Sequence, residues 1–96
     1  MKFDLNNKVA IVTGASQGIG ETIAIEMANS GAYVICLARN KDALDSTIKI
    51  IEKNGKQAAA YSCDILDNNQ LNQIVKNVID NHGKIDILVN NAGITN

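Results

Sequence analysis

A chain of 96 residues, 46% hydrophobic, with nine basic and ten acidic side chains, makes one domain at most. It buries about 60–65% of the surface its unfolded form exposes, around one modest core. The composition is too apolar for a disordered chain, and a net charge of -1 gives no broad attraction to nucleic acid or to an anionic membrane.

The opening MKFDLNNK lacks the apolar centre of a secretory signal. No stretch reaches the roughly 20 apolar residues that span a bilayer, so the expected location is the cytoplasm, with no membrane partner. The first strand is expected at Val9–Val12, a short apolar run. The glycine-rich stretch Gly14–Gly20 follows, and then Ile19, Ile23, Ala24 and Met27 recur at helical spacing until Gly31 supplies a stop. A second strand is expected at Val34–Leu37, and a second helix from Lys41 to Lys53. Leu44, Ile48 and Ile51 of that helix face the sheet, and Gly55 ends it.

Ala58–Cys63 reads as a third strand, weakened by its alanines. A third helix runs from Asn68 to Asn81 on the stripe Leu71, Ile74, Val75 and Val78, with Gly83 just beyond it. Asp67 caps its start, and Gln70 stands in the reciprocal position of a capping box. Ile85–Val89 closes the pattern as a fourth strand. The apolar runs suggest strands covered on both faces, and the helices between them serve as the crossovers that parallel neighbours require. The fold class is therefore α/β. Cys36 and Cys63 belong to no CxxC pair or metal-ligand cluster and are expected as reduced thiols. No metal site is expected.

The stretch VTGASQGIG, Val12–Gly20, lies where the first strand hands over to the first helix. Gly14 permits a tight turn. Gly18 lets backbone approach a ligand, and Gly20 lets the new helix sit close to the sheet. The N–H groups of the first helical turn have no intrahelical partner, and the aligned peptide dipoles favour negative charge there. A pyrophosphate can bind such a terminus without a lysine. The spacing Gly-x-x-x-Gly-x-Gly is not GxGxxG, and it lacks the Lys-Ser/Thr ending of a nucleotide-hydrolysing P-loop.

With these residues in view, the sequence resembles the short-chain dehydrogenase/reductase family. Thr13–Gly20 matches that family's TGxxxGxG cofactor motif, and NNAG at Asn90–Gly93 matches its second signature. Asp64 matches the acidic residue beside the adenine. The resemblance implies a three-layer, doubly wound, Rossmann-type sheet, incomplete here, with its first four strands in the order 3-2-1-4. Residues 1–96 would form the N-terminal part of that dinucleotide-binding domain, with no second domain. It further implies that Ser16, Gly18 and Ile19 line the ribose–pyrophosphate path, with Gln17 in the same turn. Asp64 and Ile65 would lie beside adenine, and Asn90, Ala92 and Gly93 would border the adenosine ribose and the route to nicotinamide. Asn91 would either brace the neighbouring strands or touch the cofactor.

The end of the second strand bears on which nicotinamide cofactor is bound. An acidic residue there accepts bonds from the ribose hydroxyls and repels a 2′-phosphate. In VICLARN, Ala38 takes that position and Arg39 follows. Arginine makes several charge-assisted bonds to phosphate, and Asn40 could donate to it as well. This favours NADP(H). NAD(H) stays the alternative, with Arg39 then a solvated loop cation, because neutral Gln17 stands where resembling NADP enzymes often carry a cation.

The resemblance also implies a catalytic serine, tyrosine and lysine with a helper asparagine, because hydride transfer must be coupled to proton transfer. Neither tyrosine of these 96 residues begins a YxxxK pair: Leu37 follows Tyr33 at that spacing, and Ile65 follows Tyr61. Both tyrosines are read as packing or surface residues, and His82 as a helix-end residue. No catalytic residue is therefore assigned, and the chain is expected to be the N-terminal part of a longer reductase. Within the family the overall resemblance leans toward reduction of a 3-oxoacyl thioester carried on acyl carrier protein. Other alcohol or ketone dehydrogenases, and a nonenzymatic dinucleotide-binding module, are the alternatives. A homotetramer is expected only of a complete protein.

Overall fold

The structure, a computed structural model, describes residues 4–91. Four strands and three helices alternate: β1 (Val9–Thr13), α1 (Gly18–Asn29), β2 (Tyr33–Ala38), α2 (Lys41–Lys53), β3 (Ala58–Ser62), α3 (Asn68–His82) and β4 (Ile87–Val89). All strand pairs are parallel, in the order β3-β2-β1-β4. This is the 3-2-1-4 order that the family resemblance implied.

Alternation along the strands divides the core in two. Ala10, Val12, Val34 and Cys36 point to one face and pack with Ala24 and Ala28 of α1 and with Leu44 and Ile51 of α2. Val9, Ile11, Ile35 and Leu37 point to the other, where Ile74 and Val78 of α3 cover them. Two helices on one face and one on the other make three layers. Every residue of β1 is buried, which explains why a run without polar alternation forms its strand.

The buried stripe of α1 is Gly20, Ala24 and Ala28, spaced four residues apart. Ile23 and Met27 pack at its margin, while Ile19 is 68% exposed. The larger apolar residues thus flank the contact, because small side chains bring the helix axis closest to the sheet.

The capping box at α3 is also rearranged. Asp67 caps as expected, its Oδ1 accepting from the N–H groups of Asn69 at 3.1 Å and Gln70 at 3.2 Å. The Asp67 N–H, however, already donates to the Asp64 carbonyl at 2.9 Å. Gln70 Oε1 instead accepts from the Asp64 N–H at 3.0 Å.

The fourth strand is shorter than its apolar run. Asp86 and Val9 exchange two bonds: the Asp86 N–H donates to the Val9 carbonyl at 2.9 Å, and the Val9 N–H donates to Asp86 Oδ2 at 2.8 Å. A side chain thereby takes the place of a backbone acceptor, and the ladder begins at Ile87. Cys63 lies just past β3, its N–H donating to the Ala38 carbonyl at 2.8 Å.

Candidate dinucleotide site

The carboxyl ends of the parallel strands bring the predicted site residues to one rim of the sheet. Gly14 and Gly18 both take left-handed backbone, at φ 66° and 60°, which side chains beyond glycine rarely adopt. Between them Ala15 is buried, its N–H donating to the Leu37 carbonyl at 3.2 Å. Gln17 stands at the N-cap of α1 in extended backbone and offers no side-chain cap. No side-chain cap therefore competes for the first-turn N–H groups of Gly18, Ile19 and Gly20, and an anion there would complete them. Gln17, Gly18 and Ile19 are exposed and Ser16 is half-buried. Gly20 is pressed against the turn it follows. A Cβ there would collide with the Gly14 carbonyl oxygen and stand 2.7 Å from Asn91 Nδ2.

At the end of β2, Arg39 is exposed and makes no ion pair among the described residues. Its carbonyl is held by Ser62 Oγ, which donates at 2.9 Å. Asn40 caps α2, its Oδ1 accepting from the Ala43 N–H at 3.0 Å. That cap occupies the amide oxygen alone, so Asn40 keeps its Nδ2 donors at the position next to Arg39. Beyond β3, Asp64 and Ile65 are half-buried. One Asp64 oxygen, Oδ1, accepts from the Leu66 N–H at 2.9 Å and fixes the loop.

The end of β4 is tied to β1 through Thr13, which the motif contained but the residue-level reading passed over. Its hydroxyl accepts from the Asn91 N–H at 2.8 Å. The same oxygen is 3.2 Å from Asn90 Oδ1 and 3.4 Å from the Val89 carbonyl, as a donor. The Asn91 backbone thereby ties the end of β4 to β1, and its Nδ2 stands beside Gly20. Ala92 and Gly93 lie outside the described residues. A second residue was missed altogether. Thr47 of α2 is fully buried, its hydroxyl 3.0 Å from the Ala15 carbonyl and 3.0 Å from Glu21 Oε2. The available signal was a hydroxyl residue within the stripe Leu44, Ile48, Ile51, three positions after Leu44.

The remaining reactive side chains lie elsewhere. Cys36 and Cys63 are free thiols, buried on opposite faces of the sheet. Burial pushes Cys36 up to about 12. Cys63 is raised by burial and then by Asp64 and Asp67. Little thiolate forms on either at neutral pH, so neither is a nucleophile. Tyr33 packs its ring on His82 at 4.3 Å between centroids, and burial, then Tyr61 and Glu52, raises its hydroxyl. This pair borders a groove of about 550 Å³, with Lys8, Lys56 and Lys84, at the amino ends of the strands. The groove is at the opposite end from the glycine turn, where the carboxyl ends of the helices gather, and cations there offset the helix dipoles. Among the described residues, no group of three or more His, Cys, Asp or Glu could hold a metal. No helix among them is long and apolar enough to cross a membrane.

Known proteins share this arrangement. A metagenomic short-chain oxidoreductase, solved in complex with NADP, superposes with a TM-score of 0.91 at 37% identity, over 96% of this chain and 42% of its own. The 7alpha-hydroxysteroid dehydrogenase of Escherichia coli K12 is 45% identical over 93% of this chain and 35% of its own length. The 3-oxoacyl-acyl-carrier-protein reductase of Thermotoga maritima is 40% identical over 95% of this chain and 37% of its own. The chain thus spans little more than a third of the length of these two curated relatives. The family model for short chain dehydrogenases matches residues 8–96, which takes in the glycine turn, the Arg39 loop and the Asn90–Gly93 segment alike. The chain belongs to the short-chain dehydrogenase family.

Proposed function

We propose that this chain is the NADP(H)-binding segment of an oxidoreductase that interconverts an alcohol and a carbonyl. One observation carries the reading: the first turn of α1 opens without a side-chain cap beside two left-handed glycines. The close fit of Gly20 against Gly14 supports it. In this arrangement the N–H groups of Gly18, Ile19 and Gly20 hold the pyrophosphate, with Ser16 beside them. Arg39 meets the 2′-phosphate, and Asp64 and Ile65 flank the adenine. Asn90, with Ala92 and Gly93, borders the adenosine ribose. The nicotinamide supplies or accepts the hydride when bound. The residues described here bind and orient it. The solved relative in complex with NADP supports the choice of cofactor.

For the substrate, the reading with the broadest support is an alcohol or ketone of unspecified class. Relatives at similar identity differ in substrate: one is a hydroxysteroid dehydrogenase and the other a 3-oxoacyl-acyl-carrier-protein reductase. Reduction of a 3-oxoacyl thioester on acyl carrier protein is the narrower reading, supported by the Thermotoga maritima relative. Residues 1–96 then form part of one Rossmann-type domain, and any tetramer belongs to the complete protein. Calorimetric titration of the folded chain with NADPH and NADH tests the cofactor reading. Saturable binding of one NADPH per chain, about tenfold or more tighter than NADH, is expected. A folded chain that binds neither contradicts it.

A further inference from the structure

The turn between β1 and α1 is fastened from an unexpected direction. Thr47, in the middle of α2, is fully buried, and its hydroxyl stands 3.0 Å from the carbonyl of Ala15, 32 residues earlier. The same oxygen is 3.0 Å from Glu21 Oε2 and 3.4 Å from its own helix at Ala43 O. A threonine hydroxyl carries one proton, so these three acceptors share it.

The Ala15 carbonyl belongs to the peptide unit that joins Ala15 to Ser16. A trans peptide is planar, with its carbonyl and its N–H pointing in opposite directions. Fixing the Ala15 oxygen toward α2 therefore fixes the Ser16 N–H away from α2. The plane can turn only through Ala15 ψ and Ser16 φ, so a bond to its carbonyl restrains both. Without the hydroxyl, the buried Ala15 oxygen would lose this donor and face the Glu21 carboxylate oxygen across the space it left. Both effects favour rotation of the peptide plane.

We infer that Thr47 is a positioning residue for the dinucleotide turn: by holding the Ala15 carbonyl it sets the direction of the Ser16 N–H, and Glu21 shares its proton. The inference rests on the reading of this turn as a phosphate site, and it deepens that reading by assigning a residue outside the motif.

Residual dipolar couplings of the backbone N–H groups in the ligand-free, isotope-labelled chain report N–H direction, and with an NADPH titration they separate the two claims. Thr47→Val keeps the side-chain shape and removes the hydroxyl. The Ser16 coupling is expected to move away from its wild-type value, while those of Ile11 in β1 and Ile51 in α2 stay unchanged. NADPH affinity falls about tenfold. Thr47→Ser restores the coupling to its wild-type value and the affinity to within about twofold. A wild-type coupling at Ser16 in Thr47→Val, couplings that change evenly across the whole domain, or failure of Thr47→Ser to restore the Ser16 value overturns the inference. If Thr47→Val does not fold, Thr47→Ala replaces it with the same two outcomes at Ser16. A wild-type chain that binds no NADPH defeats the phosphate-site reading, while the couplings still decide whether Thr47 orients the turn.

Discussion

Gly20 gives the strictest test of the site at a single residue. Its missing Cβ is what admits the Gly14 carbonyl, with Asn91 Nδ2 close behind. Gly20→Ala must push the helix start away from the turn. Overpacking of this kind costs about 1–3 kcal/mol, so thermal unfolding should fall by that amount and NADPH binding should be lost. A variant with wild-type stability and affinity would show that the close approach is dispensable. Arg39 carries a different load. It is exposed and has no ion pair among the described residues, so Arg39→Ala should leave stability within about 0.5 kcal/mol. It should erase the preference for NADPH over NADH in paired titrations. Both residues were legible in the sequence, because a motif and a strand end mark them. Thr47 was not: nothing local says that a hydroxyl on the second helix will meet a carbonyl 32 residues away. Only packing of α2 beside α1 creates that contact.

Among the elements, β4 shows how far periodicity reaches. The run from Ile85 to Val89 announced a strand, but its start is fixed by Asp86, whose side chain takes the Val9 N–H. That hydrogen bond, opposed by desolvation and helped by Lys84 and Lys8, holds the Asp86 carboxyl below the usual carboxylate range. A carboxyl whose folded value is depressed adds stability above its unfolded value, about 3.9, and loses it as pH falls through the folded value. Asp86→Asn should therefore be less stable than wild type at neutral pH, with the gap closing under acid, as followed by urea unfolding at several pH values. A gap unchanged from neutral pH to below the folded value would rule out this ionisation. The other boundaries divide in the same way. Gly31, Gly55 and Gly83 all take positive φ near the helix ends they were expected to close, and Asp67 and Asn40 cap as short polar side chains do. Apolar spacing placed Ala24 but misplaced Ile19, because α1 meets the sheet through Gly20, Ala24 and Ala28, and Gly20 and Ala28 were too small to stand out in that pattern.

For the whole molecule, the alternation of strand and helix stated the class, but apolar runs alone do not order the strands. The family resemblance supplied 3-2-1-4, and the registers of β1 with both β2 and β4 bear it out. This order gathers the Gly14–Gly20 turn, Arg39, Asp64 and Asn90 at the carboxyl rim, while the Lys8–Lys84 groove lies at the other end. The two rims differ in which of them can receive the cofactor. The most direct measurement is a map of backbone amide shifts in the folded, isotope-labelled chain as NADPH is added. The predicted result is saturable movement concentrated at the amides of Ser16 to Gly20, with smaller shifts at Arg39, Asp64 and Asn90. Saturable shifts at Lys8, Lys56 and Lys84 with the Ser16–Gly20 amides unmoved would contradict it.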